Sequence, residues 1–471
     1  MRSQSLRARC ALGPDIRPSA VPNIAVAVVG VGLVGKEVVR QLFAPALEGV
    51  FEVVLLSGSR HAVAFERGKH FDDAEALLAL LPSSSTSASA RPALPPGAAY
   101  SSTDFESIIS TLSADRTSQG QQTILVDCTS SADLAALYPR ALSSGLSVVT
   151  PNKKAFSSSS SLYSSIMSAQ AEPGAGLCYH EATCGAGLPV LSTVRDLVAT
   201  GDEIVRVEGV LSGTLAYLFN QYSTVDVVES GAKPFSELVR VAKEHGHTVR
   251  ELPQRLYLAL EHRLMLLIDM QEPHPADDLS GADVARKLTI LARIASTSSS
   301  SSSAPSSLPR LSDLPDGHLS VPTQSLVSPE LAALTDPSEF LDALADLDDD
   351  FAAQRDEAAR AGRVLRYVGV IDRERGEIRC GLERCVRSFS PPLDLLARAR
   401  LTLPPPVRSF PHSHPFARST GSYLSLAIYT RRYSSAPLVI QGPGYPLSVT
   451  AGAVVADAVR VAERYGTRVG L

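Results

Sequence analysis

An apolar, strand-like run, Asn23–Gly30, passes directly into Gly30-Val31-Gly32-Leu33-Val34-Gly35. A helical pattern follows through Glu37, Val38, Val39 and Leu42 to about Leu47, and Phe51–Leu56 reads as a second strand. Strand, glycine turn, helix, strand is the order of a βαβ dinucleotide-binding unit, and it commits the chain to a parallel sheet. Gly30 makes the tight turn, Gly32 lets a pyrophosphate approach backbone N–H groups, and Gly35 lets the helix pack close to the strand. Val31, Leu33 and Val34 complete the loop and the first helical turn. After the second strand an NAD site places an acid for the ribose 2′-hydroxyl. Here the residues are Ser57-Gly58-Ser59-Arg60-His61, with no acid. Arg60 is therefore read as a partner for a 2′-phosphate, which predicts NADP with NAD as the alternative; an exposed surface arginine is the plainer reading.

A chain of 471 residues with 44% hydrophobic content has room for two or three domains with ordinary cores. A net charge of −5 gives no electrostatic reason to expect nucleic acid or an acidic membrane surface as a partner. No apolar run approaches the roughly 18–20 residues that span a bilayer. The six cysteines show no CxxC spacing and read as reduced thiols of a cytosolic protein. Residues 1–22 carry four arginines and one acid, Asp15, and are read as a disordered leader or over-extended start, a mitochondrial presequence being the alternative. Residues 83–101 are rich in Ser, Ala and Pro and predict a flexible surface insertion. Thr123–Asp127 and Leu146–Thr150 read as buried strands, 296–309 as a serine linker, and 338–362 as a charged helix. Val364–Ile371 and Glu377–Leu382 predict two strands around a turn, and 448–467 has helical periodicity.

The chemistry concentrates in a few stretches. Residues 272–287 place Glu272, Asp278, Asp283 and Lys287 around a helix start. Asp283 and Lys287 are four apart and share a helical face, while Glu272 and Asp278 fall in a Pro- and Gly-containing turn upstream. Acids beside a lysine can hold an amino group while the lysine handles a proton at an oxygen; a solvated, capped helix start is the bland alternative. Asp127-Cys128-Thr129-Ser130-Ser131 ends a strand at the carboxyl edge of the sheet, where ligands of open α/β sheets bind. Thr129 and Ser130 are cofactor candidates there. Thr150-Pro151-Asn152-Lys153-Lys154 ends the next strand, and one lysine of the pair can face the same crevice. His180 to Pro189 is rich in small residues whose backbone carbonyls can ligate a hard monovalent cation. His180 and Cys184 lack two further ligands for zinc, and Cys184 has no base fixed beside it, so it reads as a packed small residue.

These motifs, with Ser212-Gly213-Thr214-Leu215-Ala216-Tyr217-Leu218-Phe219-Asn220, resemble homoserine dehydrogenase, and its fungal single-function branch in particular. The resemblance runs from about residue 23 to 467. It implies an α/β fold: a Rossmann-type dinucleotide-binding domain over 23–155, an α+β catalytic and dimerisation domain over 156–440, and a segment 441–471 returning to the nucleotide domain. It implies NAD(P)-dependent interconversion of L-aspartate 4-semialdehyde and L-homoserine, on the route to threonine, methionine and isoleucine, by a cytoplasmic homodimer. Lys287 matches the acid/base lysine and Lys153 the lysine near the reacting carbon. Glu272, Asp278 and Asp283 match residues of the substrate site. Thr129 and Gly246 match cofactor contacts. Glu181, Cys184, Ala186 and Leu188 match positions that give backbone oxygens to a sodium ion, which makes their side-chain identity secondary.

Three segments depart from the family pattern. Val249–Gln271 inserts 23 residues between Gly246-His247-Thr248 and Glu272. A second surplus, about 386–409, follows Cys385. Both begin with Val, whose codons start with the 5′ splice dinucleotide, and both are read as retained introns or, alternatively, as lineage-specific loops. At Gln441-Gly442-Pro443-Gly444-Tyr445-Pro446, Pro446 occupies a glycine position near the cofactor and lacks an N–H donor. A non-catalytic NAD(P)-binding homologue, spoiled by the first insertion, is the competing reading. An aspartate-semialdehyde dehydrogenase is disfavoured for want of a Cys–His pair, and an aspartokinase fusion for want of length.

Overall fold

The computed structural model describes residues 24–68, 71, 73–83, 86, 91, 93–224, 233–248, 274–296, 314–384, 416, 419–467 and 469. The leader 1–22, Glu272, the segments 249–271 and 386–409, and all of the serine tract except Ser296 lie outside the described residues.

Ile24–Val29 forms β1 and is buried at every position, as a strand covered on both faces must be. It pairs in parallel with β2, Phe51–Ser57, and with β5, Thr123–Asp127. The sheet continues through β6, Ser147–Val149, to β7, Cys178–Tyr179, both parallel. On the other side β3, Ala62–Phe65, and β4, Ala98–Ser101, add antiparallel strands, giving the order β4-β3-β2-β1-β5-β6-β7. The surface insertion expected over 83–101 is therefore corrected at its end. Leu94, Ala98 and Tyr100 pack against the domain core, and that burial draws the segment's end into the sheet.

Helix α1, Leu33–Leu42, buries Gly35, Val38, Val39 and Leu42. It stops short of Leu47 because Pro45 cannot supply the next helical N–H; a short 3₁₀ turn, Pro45–Leu47, follows. The apolar face of α1 meets the long C-terminal helix Leu447–Arg464, whose Ala451, Val454, Val455, Ala458 and Val461 share its core. Gln41 Nε2 also donates to the Ser448 carbonyl at 2.9 Å. Among the described residues the last helix thus closes over the first.

A second sheet is antiparallel throughout. Its order is β10-β9-β8-β11-β12, from β8 Ile204–Val210, β9 Leu365–Asp372, β10 Glu377–Arg384, β11 Tyr423–Thr430 and β12 Leu438–Pro443. Alternation sorts β9 cleanly: Leu365, Tyr367 and Ile371 join the main core with Leu288 and Leu291, while Val368 and Val370 join a separate cluster with Val210 and Phe416. At Gly369 a side chain would meet Leu288 at 2.8 Å, so the absence of a Cβ lets the helix carrying Leu288 lie directly on the sheet. The charged region expected as one helix over 338–362 is divided into Pro337–Leu344, a 3₁₀ turn Ala345–Leu347, and Asp348–Arg360. Phe340, Leu341 and Leu344 of the first piece and Phe351 and Ala358 of the second are buried, and the tight turn re-aims the second piece.

Candidate active site

The glycine loop has the geometry its residues require. Gly30 has φ +87°, and a Cβ there would lie 2.7 Å from the Cys128 backbone and from Thr129. At Gly35 a Cβ would lie 2.3 Å from the Gly30 carbonyl, so α1 can start only beside a bare backbone. Gly32 faces open space. That space is a cleft of about 1030 Å³ at the carboxyl ends of the parallel strands. Its walls include Gly30, Val31, Gly32, Arg60, Thr129 and Ser130, so six of the residues predicted to contact a cofactor converge on it. Leu33, Val34 and Gly35 sit behind it in α1. Gly246 falls in the last turn of the helix Phe235–Thr248, and Pro446 immediately precedes the C-terminal helix and is not part of the cleft wall.

A second group gathers beyond the exits of β6 and β8. Gly281, φ +76°, caps the helix α2, Ala282–Ala295, and Tyr367 Oη would lie only 1.9 Å from a Cβ at that cap. Asp283 and Lys287 project from one face of this helix, and Lys287 Nζ meets Asp283 Oδ2 at 2.7 Å. Lys153 Nζ reaches the other oxygen, Oδ1, at 3.2 Å. One carboxylate therefore bridges two ammonium groups from different elements. Lys287 is buried and also donates to the Leu211 carbonyl at 2.6 Å, just past β8. Burial opposes ionisation of Asp283, but the Lys153 and Lys287 charges and their hydrogen bonds outweigh it and hold its carboxyl well below the usual carboxylate range. Its place in the first turn of a helix acts in the same direction.

Asp278 is buried, and it lies in a short helix, Pro275–Leu279, where a turn was expected. The reason is local: the His274 ring accepts the Ala276 N–H at 3.2 Å, and Pro275 is set in the first helical turn. Cys184 is fully buried beside the charged trio, and burial pushes its thiol up to about 12, which removes it as a nucleophile. Among the described residues no group of three or more His, Cys, Asp or Glu is placed to hold a metal ion. His180 is stacked on Phe156 with 3.7 Å between ring centres. Arg195 lies 2.6 Å from its Nε2 and can only donate, so Nε2 accepts and Nδ1 carries the proton toward Thr183.

The loop from Glu181 to Leu188 turns through Gly185 and Ala186, with φ +91° and +54°. The Glu181 side chain is engaged where its identity was expected to be secondary. Its two oxygens accept the Leu191 and Ser192 N–H groups at 2.7 and 2.8 Å, capping the helix Val190–Ala199. Its own N–H donates to Asp457 of the C-terminal helix at 2.8 Å, and Arg460 pairs with Asp457 at 2.6 Å. Asp457 is the one acid inside an otherwise apolar helical stripe, a signal visible in the sequence; the Leu211 carbonyl left no such signal.

Two family profiles match the chain: homoserine dehydrogenase, NAD binding domain, over 30–180, and homoserine dehydrogenase over 189–252 and 268–459. The chain belongs to the homoserine dehydrogenase family. The homoserine dehydrogenase of Emericella nidulans is 41% identical over 347 residues, 73% of this chain and 76% of its own. That of Saccharomyces cerevisiae is 33% identical over 441 residues, 94% and 98% of the two chains. The crystal structure of a Candida auris protein of unknown function superposes with a TM-score of 0.68 at 34% identity, covering 94% and 99% of the two chains. As a homoserine dehydrogenase the chain is an NAD(P)-dependent oxidoreductase acting on a CH–OH group. The second profile passes over 253–267, within the insertion Val249–Gln271. No helix among the described residues is long and apolar enough to cross a membrane.

Proposed function

We propose that the Lys153–Asp283–Lys287 group catalyses the reduction of L-aspartate 4-semialdehyde to L-homoserine by a reduced nicotinamide cofactor, with NADPH preferred over NADH. The observation that carries this reading is the single carboxylate shared by two lysines at 3.2 and 2.7 Å. A bound nicotinamide supplies the hydride. The developing alkoxide needs a positive charge and a proton, and Lys287 is buried where both are most effective. Asp283 orients Lys287, and Lys153 brings a second ammonium group to the same carboxylate. Glu272 and Asp283 are the acids for the substrate and its ammonium, and Asp278, buried just before this helix, is an acid of the same polar site. The nucleotide preference rests on Arg60 in the cleft wall and on the absence of an acid from Ser57 to His61. The open backbone at Gly32 suits a pyrophosphate, and the turn that presents it needs a bare Gly30, where a Cβ would meet Cys128 and Thr129. Thr129, Ser130 and Gly246 complete the cofactor site, with Pro446 at its margin.

A sodium ion on the carbonyls of Glu181, Cys184, Ala186 and Leu188 is part of the proposal, carried by the family resemblance; the loop that bears them turns through two successive left-handed residues, Gly185 and Ala186. A homodimer in the cytoplasm completes the proposal; Cys128, Cys178, Cys184 and Cys380 are free thiols, which suits a reducing compartment. Among the described residues nothing favours the non-catalytic alternative, and the contacts of Asp283 with both lysines support the catalytic one. The test is NADPH oxidation on addition of aspartate 4-semialdehyde, with NADH run in parallel. Turnover with a higher kcat/KM for NADPH is expected. Equal or better turnover with NADH would remove the role given to Arg60.

A further inference from the structure

Asp127 ends β5 and is completely buried. It takes part in no step described above, yet three donors from three parts of the chain converge on its carboxylate. The Thr129 N–H reaches Oδ1 at 2.7 Å. The Tyr138 hydroxyl, from the helix Tyr138–Ser143, reaches Oδ2 at 2.5 Å, and the Asn152 side-chain amide reaches the same oxygen at 3.0 Å. Thr129 is in the wall of the cofactor cleft. Asn152 immediately precedes Lys153, and its amide also donates to the Ser131 carbonyl, in that same wall, at 2.9 Å. Its side-chain carbonyl oxygen accepts the Lys154 N–H at 3.1 Å, so Lys153 lies between Asn152 and a residue hydrogen-bonded to it.

The network costs the fold something. Burial pushes the Asp127 carboxyl up, against the hydrogen bonds from Tyr138, Thr129 and Asn152. A neutral amide would avoid that penalty, but its NH₂ would face donors. Only a carboxylate accepts from all three at once.

We propose that Asp127 is a positioning residue that fixes the Lys153 loop against the cofactor-binding loop, so that cofactor and catalytic lysine are held in one register. The inference rests on the role given to Lys153 above. In an open sheet the exits of β5 and β6 are separate loops; here one carboxylate makes them a single unit. Misplacement of a reacting group by about 1 Å costs roughly 100-fold in rate, so a fixed register matters more for turnover than for cofactor affinity.

The test compares the whole enzyme with Asp127→Asn, Lys153→Met and the double variant. In Asp127→Asn the remaining oxygen can keep the Thr129 N–H, and the Tyr138 hydroxyl can turn to Thr150 Oγ1, 3.1 Å away. The NH₂ group then opposes Asn152 alone. The expected result is a kcat lower by roughly 10- to 100-fold, with NADPH affinity, read from its own fluorescence, within about threefold of wild type. In the Lys153→Met background the same change should cost little more. Asn152→Ala, which leaves Asp127 its other two donors, should reproduce the kcat loss if Asp127→Asn does not fold. An unchanged kcat in Asp127→Asn, or losses that multiply in the double variant, would overturn the proposal. Failure of the wild type to turn over aspartate 4-semialdehyde would instead sink the functional reading. In that case NADPH protection of Lys153 against an amine-modifying reagent decides the positioning role: protection lost in Asp127→Asn supports it, and protection retained overturns it.

Discussion

At Asp283 one side chain balances two cations, and the balance sets both stability and chemistry. Removing one member of a buried ion pair leaves the rest uncompensated. Asp283→Asn is therefore expected to cost about 1–3 kcal/mol of stability, discounted for partial exposure, and to reduce kcat/KM by at least about 100-fold. Thermal unfolding and steady-state kinetics check both. Because the folded carboxyl is held low, its contribution is complete above the unfolded value of about 3.9 and is lost as pH falls toward the folded one. Much of this site was legible in the sequence. Asp283 and Lys287 are four apart and share a helical face, the glycine spacing marks the turn into the first helix, and Thr129 follows a strand at its carboxyl end. The joins were not legible. Lys287 meets a carbonyl 76 residues away, and Asp127 meets Asn152 across 25, so no local pattern records either bond.

Among the elements, the helix Ala282–Ala295 is placed by two glycines. Gly281→Ala would force a left-handed residue with a Cβ against Tyr367, and a loss of at least about 2 kcal/mol is expected in chemical denaturation. The helix Leu447–Arg464 is tied down differently. Burial raises its Asp457 carboxyl to about 6, above the unfolded value of about 3.9, so the folded state binds the proton more tightly. Stability from this group is then greatest at acid pH and falls as pH rises through about 6. Between pH 5 and 7.5 the wild type should lose about 1 kcal/mol relative to Asp457→Asn, read from denaturation midpoints at each pH. An equal pH dependence in the two proteins would show that Asp457 titrates normally. Strands were easier to read than helix ends. The apolar runs of β1, β2 and β5 left little choice, whereas the breaks at Pro45 and at Ala345–Leu347 depend on which turn buries its side chains.

Over the whole molecule, the nucleotide-binding sheet and the antiparallel sheet meet at the lysine pair: Lys153 follows β6 of the first, and the helix bearing Lys287 lies on the second. The fold class could be read from the motif order, but the antiparallel sheet could not be assembled from sequence, because β8 pairs with β9 and β11, far along the chain. The homoserine dehydrogenase profile passes over 253–267 while matching on both sides, so this part of Val249–Gln271 lies outside the shared plan. A chain lacking Val249–Gln271 should keep its thermal midpoint and turn over at least as fast as the full chain; a lower midpoint would make the segment an integral part of the fold.

The most direct test of the account is Lys287→Met, compared with wild type for NADPH binding and for aspartate 4-semialdehyde reduction at saturating cofactor. The account predicts a kcat lower by roughly 100- to 10,000-fold with NADPH affinity unchanged. A variant that turns over at the wild-type rate would contradict it.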